Sequence, residues 1–288
     1  MNRIVLFIAA ALLSSAASAR CEHSEMHRHN FEADAFQGID LAALAGSLDV
    51  IGTDSDRIVF EGRACTDRDQ WLDHIRLDID DGGNVLSLTV SIPYDDRDFD
   101  ARYAHMDVVL ELPRDLAIAI RDSSGDILVR DAAVTSIDDS SGNIRVENGR
   151  HTLMVEDSSG DIDLRGIDGD VTVRDSSGSI SIRRVTGDVT IPSDSAGDIE
   201  IDEVEGTVVV ARDSSGDIEI EGVGQRVEVG SDGSGDIEIR DVAAGVRIES
   251  DGSGRVQIDD VSGDFELLAK GAGDVRVRGV EGNVSTPR

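Results

Sequence analysis

A motif with one central glycine recurs through the second half of the chain at an almost constant interval. Its form Asp-Ser-Ser-Gly-Asp-Ile occupies residues 122–127, 157–162 and 213–218, and variants stand between and after these copies. Successive central glycines are separated by 17, 18 and 18 residues and then five times by 19. They are Gly125, Gly142, Gly160, Gly178, Gly197, Gly216, Gly235, Gly254 and Gly273. Nine units of nearly one length are typical of an architecture in which equivalent units stack on one another.

Hydrophobic and polar residues alternate within each unit. In the third unit Ile162, Leu164, Ile167, Val171 and Val173 are apolar, and polar residues lie between them. Alternation over two short runs predicts two strands and two corners per unit. A propeller blade needs about 40 residues, and a sandwich would not keep a fixed repeat.

Units of this kind bury their apolar sides by stacking about 4.8 Å apart. The sequence therefore predicts an all-β fold, a right-handed single-stranded β-helix (β-solenoid) with 17–19-residue coils. About thirteen coils and a length of about 60 Å follow if the chain coils throughout. One interior ladder should consist of Ile127, Ile144, Ile162, Ile180, Ile199, Ile218, Ile237, Val256 and Val275.

The chain before the repeat is less regular. Strand-like runs lie at residues 48–50, 58–60, 75–79, 85–92 and 106–112, and residues 93–102 form a polar loop. Terminal units of solenoids are often atypical because they act as caps. We divide the sequence into a signal peptide (1–19), a flexible leader (20–36), irregular coils and cap (37–120) and the regular solenoid (121–288).

The first residues have the pattern of a secretory signal. Asn2 and Arg3 precede an apolar run of ten residues at 4–13, and Ala17-Ser18-Ala19 is a small-residue cleavage site. Ten apolar residues are too few to span a bilayer, and Arg20 occupies the position where a lipoprotein needs a small residue before Cys21. We expect an exported protein of the bacterial periplasm or cell surface, with no membrane insertion after cleavage.

Cys21 and Cys65 are the two cysteines of the chain. An even number of cysteines in an oxidising compartment favours a disulfide. Closing a loop of this length stabilises a fold by about 3–4 kcal/mol in the chain-entropy model. The alternative is two unpaired thiols.

The composition excludes some classes of partner. A formal net charge of −32 repels nucleic acid and anionic membrane surfaces. Aromatic residues make up 3% of the chain, which argues against a ligand pocket or a sugar-stacking groove.

The sequence patterns that could indicate an active site are also weak. The Ser-Ser pairs belong to a repeated turn, and His74, His105 and His151 fall in no distinctive motif. The coils after residue 122 have no insertion that could build a cleft. We therefore expect no enzyme, although a carbohydrate-active β-helix enzyme stays an alternative.

Acidic residues repeat in register and should form columns. The simplest interpretation is that each Asp holds its corner by accepting backbone N–H groups, with the charge screened by salt. Adjacent like charges at Glu200, Glu219 and Glu238 leave calcium binding by an acidic rod as the alternative. Its candidate ligands are Asp194, Asp198, Glu200, Asp213, Asp217, Glu219, Asp232, Asp236 and Glu238. No other cofactor is expected.

Two smaller clusters of side chains are further candidate binding sites. His23, His27 and His29 could chelate copper or zinc, or could be a chance cluster in a flexible leader. Lys270, Arg276 and Arg278 make the last coil basic. They either discourage edge-to-edge stacking or form a contact end for self-association or an envelope partner.

The order of these features resembles a known family. The signal peptide, the irregular strands with Arg63-Ala64-Cys65, the strand Val108-Val109-Leu110-Glu111-Leu112-Pro113 and the Ser-Ser-Gly-Asp-Ile units are similar to the bacterial candidate-adhesin family of unknown function, the DUF4097-type β-helix proteins. The resemblance covers roughly residues 30–288. It implies a single-stranded β-helix at the cell envelope and supplies no catalytic residues. We expect an adhesin-like binding module or structural scaffold whose partner is an envelope protein or surface ligand.

Overall fold

The computed structural model describes residues 21–94 and 96–287 and places them in two stacked sheets of thirteen strands each. The predicted signal peptide lies outside the described residues. Strands are numbered in chain order. Sheet A contains, in spatial order, β1 (His23–Glu32), β4 (Arg57–Thr66), β7 (Ala104–Pro113), β3 (Leu48–Thr53), β9 (Ile127–Arg130), β11 (Ile144–Glu147), β13 (Ile162–Ile167), β15 (Ile180–Val185), β17 (Ile199–Val204), β19 (Ile218–Val223), β21 (Ile237–Val242), β23 (Val256–Val261) and β25 (Val275–Val280).

Sheet B forms the opposite wall. It contains, in spatial order, β5 (Arg76–Asp80), β6 (Val85–Ser91), β2 (Gly38–Ala42), β8 (Ala117–Arg121), β10 (Val134–Asp138), β12 (Leu153–Glu156), β14 (Val171–Arg174), β16 (Val189–Ser193), β18 (Val208–Arg212), β20 (Val227–Asp232), β22 (Val246–Ser253), β24 (Phe265–Ala272) and β26 (Val284–Ser285). The described residues contain two short helices, a 3₁₀ helix at Ala33–Ala35 and α1 at Asp69–Leu72. No helix of the described residues is long and apolar enough to cross a membrane.

The repeat region is a β-solenoid, as the periodicity predicts. Each coil contributes one strand to each sheet, and identical residues pair in parallel register, such as Ile180 with Ile199 and Ile199 with Ile218. The alternate Ile and Val side chains of both sheets are buried between the walls from Ile127 to Leu267. Ladders of identical branched side chains fill the interior because each strand presents every second residue to it.

The central glycines stack at one corner of the coils. Gly125 has a φ of +129°, which side-chain-bearing residues rarely adopt. A Cβ atom on Gly125 would lie 1.9 Å from the carbonyl oxygen of Gly46. Gly46 is therefore the first member of the glycine ladder, 79 residues before Gly125 in the chain.

The first coil is inserted between two later ones. β3 pairs in parallel with β7 on one side and with β9 on the other, and β2 lies in the same way between β6 and β8. After the first coil, the chain forms β4 to β7 on one side of that coil and then crosses to its other side, where β8 and β9 begin the regular repeat. We call β1, β4, β5, β6 and β7 the outer layer. The expectation of about thirteen successive coils is wrong for this reason, and the repeat forms about nine turns.

The outer layer is antiparallel. β1 pairs with β4, β4 with β7, and β5 with β6, all antiparallel. Residues 20–36 were expected to be a flexible leader, but most of this segment is the ten-residue strand β1. Ten registered pairs with β4 explain the difference, because the partner strand satisfies backbone groups that a leader would expose to water.

Candidate functional site

A cleft of about 470 Å³ lies where the loop between β6 and β7 folds over the corner that holds Gly46 and Gly125. Its walls include Tyr94, Phe99 and Tyr103 from the loop. His105 and Asp107 at the start of β7 and Ser47 at the first coil complete the polar side. The cleft forms because the connection that joins β6 to β7 in the outer layer is longer than the corners of the repeated coils.

Aromatic residues build the loop side of the cleft. The Tyr94 and Phe99 rings meet edge to face at a centroid distance of 5.5 Å, and the Phe99 and Trp71 rings at 5.2 Å. The Tyr94 hydroxyl donates to the carbonyl oxygen of Ala104 at 2.7 Å, and burial raises the pKa of Tyr94. Trp71 Nε1 donates to Asp100 Oδ1 at 2.8 Å. The rings therefore keep fixed orientations around the cleft.

The loop is anchored to the outer layer by a nearly buried carboxylate. Asp67 accepts the backbone N–H of Arg102 at 2.9 Å and its Nε–H at 2.7 Å. These bonds from Arg102, more than any other contact, hold the pKa of Asp67 below its usual range. Arg102 also lies 3.4 Å from Glu22, just after Cys21. The N-terminal residues thus help to hold the loop that forms the cleft.

The polar side of the cleft presents donors and acceptors. Asp107 Oδ1 accepts from the backbone N–H of Ser47 at 3.1 Å and from its hydroxyl at 3.0 Å. His105 Nε2 lies 3.8 Å from Asp107 Oδ2, and the His105 ring stands beside the Tyr103 ring. The Ser47 hydroxyl donates to a carboxylate rather than to a histidine, so this group is not arranged as a serine nucleophile with its base.

The scarcity of aromatic residues argues against a sugar-stacking groove, yet the structure gathers both tyrosines and the single tryptophan near one cleft. The local signal in the sequence is the density of Tyr94, Phe99 and Tyr103 within one connection. Composition averaged over the chain hides this density.

The predicted disulfide joins Cys21 to Cys65, with the Cα atoms 5.5 Å apart. It links the start of β1 to the end of β4, on the same side of the outer layer as Asp67. The three histidines of the N-terminal cluster lie along β1, where His23 is 3.4 Å from Asp69 and His29 packs near Phe31 and Phe60. Within residues 21–94 and 96–287, no group of three or more His, Cys, Asp or Glu side chains is placed to hold a metal ion.

The candidate calcium ligands separate into three environments. Asp194, Asp213 and Asp232 are buried at the corners. Asp198, Asp217 and Asp236 each accept the backbone N–H of the equivalent residue in the next coil, at 2.8–3.0 Å. The three glutamates pair with arginines: Glu200 with Arg183, and Glu219 and Glu238 with Arg240. The arginines relieve the repulsion that had suggested a cation.

The basic residues of the last coil lie on β25, the outermost strand of sheet A among the described residues. Arg276 and Arg278 are exposed on β25, beside Gln257 and Asp259 of β23. Neither arginine has an ion pair among the described residues. Lys270 pairs in register with Asp251 on the other sheet. β25 has no strand partner beyond β23 in the part of the chain that the structure describes.

These features define a β-solenoid with an antiparallel outer layer at one end. Residues 149–286 match the family model described as Toastrack DUF4097. The resemblance to the DUF4097-type proteins is confirmed by this match. No curated protein matches the sequence.

Several solved structures are similar to this chain. They include a candidate cell adhesion protein from Clostridium sporogenes (11% identity, 89% of this chain and 99% of that chain, TM-score 0.33). A candidate adhesin from Bacteroides fragilis has 15% identity over 91% of this chain and 96% of its own, with a TM-score of 0.39. A candidate adhesin from Parabacteroides distasonis has 12% identity over 88% and 97%, with a TM-score of 0.43.

Proposed function

We propose that this chain is a non-catalytic, adhesin-like binding module of the bacterial envelope that holds a glycan in the cleft beside Tyr94 and Asp107. The repeat acts as a rigid spacer behind it. The observation that carries the proposal is the cleft itself. It joins oriented aromatic rings to a carboxylate and a hydroxyl, whereas the coils present regular faces of paired charges.

The chemistry of the cleft suits a sugar. Aromatic faces pack against the apolar faces of a pyranose ring, and carboxylate, hydroxyl and imidazole groups hydrogen-bond to its hydroxyls. Tyr94 and Phe99 line the cleft together with Asp107 and His105. A sugar could therefore meet both kinds of contact at once.

The same geometry favours binding over hydrolysis. Glycoside hydrolysis generally needs two carboxyl groups across the scissile bond. Asp107 is the one carboxylate among the described residues that line the cleft. Its hydrogen bonds to Ser47 fix its position without a second acid.

Export fits this function. The predicted signal peptide would direct the chain out of the cytoplasm, and disulfides such as Cys21–Cys65 persist in oxidising compartments. The partner in this proposal is therefore a glycan of the periplasm or of a surface that the cell contacts.

An array of bacterial and host glycans, probed with the mature protein, tests the proposal. We expect at least one glycan to bind, and Asp107→Asn to weaken that binding at least tenfold. Asp198→Asn, at a corner remote from the cleft, serves as the matched control and should bind as the unaltered protein does. A folded protein that binds no glycan, or an Asp107→Asn variant that binds equally well, contradicts the proposal.

A further inference from the structure

The first residue of each repeated motif forms a column of buried carboxyl groups, which we name the aspartate spine. Each of these residues is only 2–7% exposed. The stacking follows from the backbone, since the N–H of Asp213 donates to Ser231, directly before Asp232, and Asp232 pairs in register with Asp251. The members are Asp122, Asp139, Asp157, Asp175, Asp194, Asp213, Asp232 and Asp251.

In four members of the spine, Asp139, Asp157, Asp175 and Asp194, one carboxyl oxygen has a structural role. Asp157 Oδ1 accepts the backbone N–H of Ser158 at 2.7 Å and that of Ser159 at 3.2 Å, which holds the corner. Its Oδ2 is buried and has no hydrogen-bond partner among the described residues. In Asp122, Asp213, Asp232 and Asp251 neither oxygen has a hydrogen-bond partner in the part of the chain that the structure describes. At least one carboxyl oxygen therefore stays without a partner in each of the eight coils that carry a spine residue.

The corner does not require an acid. Ala43 stands in the first coil where later coils have the spine residue, and its N–H donates to Arg121 in the same ladder. Lys270 occupies the position after Asp251 at the other end. The spine is thus a run of eight acids between an alanine and a lysine.

Most charged groups that face the spine are also acidic. Asp126 and Asp138 act on Asp139, Asp161 acts on Asp175, Asp198 on Asp213, and Asp236 on Asp251. The residues that directly precede the spine in sheet B are exposed where they are charged: Arg121, Asp138, Glu156, Arg174 and Arg212. Lys270 is the cation that opposes the charge of Asp251. A fully ionised spine would thus be a row of desolvated like charges.

Protonation of every second member relieves this repulsion and supplies the missing donors. A carboxyl proton on Asp232, for example, can be donated to an orphaned oxygen of Asp213 or Asp251 in the neighbouring coils. Burial raises the pKa of Asp122 and Asp232 to about 7 and that of Asp157 and Asp194 to about 6. These four alternate along the column with members whose pKa is also raised. The protons belong to the coupled column rather than to single residues.

We propose that the aspartate spine is a proton-binding column in which alternate carboxyl groups hold a proton in mildly acidic solution and donate it to their neighbours, so that proton binding stabilises the folded solenoid. A raised folded-state pKa means that the stabilising contribution is fully present below the unfolded value of about 4. It is lost as the pH rises through 6 to 7. The free energy of unfolding therefore falls as the pH rises from mildly acidic to mildly alkaline. Ordinary exposed carboxylates have already lost their protons over this range and do not contribute to the change.

Thermal unfolding of the mature protein between pH 5 and pH 8 tests the proposal. We expect the melting temperature to fall by on the order of 10 °C over this range. Asp232→Asn, which keeps the shape and removes the titration, should reduce that fall. Asp217→Asn, at an exposed corner position of the same motif, is the matched control and should retain the full slope, including any contribution of the six histidines. A flat wild-type profile, or equal slopes in both variants, overturns the proposal.

A direct measurement covers the case in which Asp232→Asn does not fold. Infrared spectra of the unaltered protein should show protonated carboxyl groups at pH 6 that disappear by pH 9. Absence of that signal at pH 6 in folded protein also overturns the proposal.

Discussion

Single residues at the corners have little freedom, because successive coils stack backbone on backbone there. Gly216 has a φ of +139°, and a Cβ atom would lie 1.8 Å from the carbonyl oxygen of Gly197. We expect Gly216→Ala to destabilise the fold by about 2–4 kcal/mol, measured by urea unfolding. Gly83→Ala is the control, since its Cβ would meet nothing closer than 3.9 Å. Equal stability of the two variants would contradict this prediction, because it would show that neighbouring coils can move apart at the corner without loss of stability.

The disulfide between Cys21 and Cys65 is a second constraint that single residues impose on the fold. Cys21 and Cys65 close a loop with a sequence separation of 44. The native protein should have no thiol that reacts before reduction, and reduction should lower stability by about 3–4 kcal/mol. A Cys21→Ser/Cys65→Ser variant should melt where the reduced protein does. Two titratable thiols in the native protein contradict this prediction.

Among the secondary-structure elements, β19 offers a direct comparison of its two faces. Ile218 is 1% exposed between Ile199 and Ile237, so Ile218→Asp buries a charge without a partner and should cost about 4 kcal/mol or more. Glu219 points outward and pairs with Arg240. Glu219→Ala should change stability by less than about 1 kcal/mol, because exposed ion pairs contribute little. Similar melting of the two variants would show that the assignment of faces is wrong.

The charged faces of the strands lead to a prediction about calcium. Glu200, Glu219 and Glu238 are engaged by Arg183 and Arg240, and Asp217 and Asp236 hold backbone N–H groups. We expect calcium titration to give no saturable heat and no rise in melting temperature beyond that from magnesium at equal ionic strength. A saturable calcium-specific signal would restore the acidic-rod interpretation.

At the scale of the whole molecule, β25 is an edge strand of the described residues, and at such an edge one solenoid could meet another. Arg276 and Arg278 alternate there with the half-buried Val275 and Val277. We expect the arginines to discourage edge pairing, so that the protein sediments as a monomer at low and high salt and Arg276→Val/Arg278→Val self-associates. Self-association of the unaltered protein that high salt and Arg276→Glu/Arg278→Glu both abolish would instead make this edge a contact site.

The repeat could be predicted in detail because each coil repeats the same local choices. Ile199, Ile218 and Ile237 occupy equivalent positions in the sequence and pair directly in sheet A. Stacking at one spacing converts sequence period into spatial register, so the core ladder and the corner glycines follow from the pattern alone.

The outer layer could not be predicted in this way. Gly46 belongs to the glycine ladder although 79 residues separate it from Gly125, and β1 takes the place of an expected leader. Antiparallel pairing of β1 with β4 depends on contacts between distant segments that have no shared period. The cleft depends on the same contacts, because Arg102 must reach Asp67 to hold its loop.

The sequence by itself determined the solenoid, its two strands per coil, the apolar interior and the partner cysteines, since each depends on local alternation, fixed spacing or a simple count. Tertiary structure alone decided the insertion of the first coil, the assembly of the aromatic cleft and the burial of Asp122 to Asp251 as a spine. An aspartate three residues before the central glycine has the same local pattern whether its second oxygen meets water or a neighbouring coil. Only the stacking of the coils removes that water, and burial then raises the pKa of the carboxyl group.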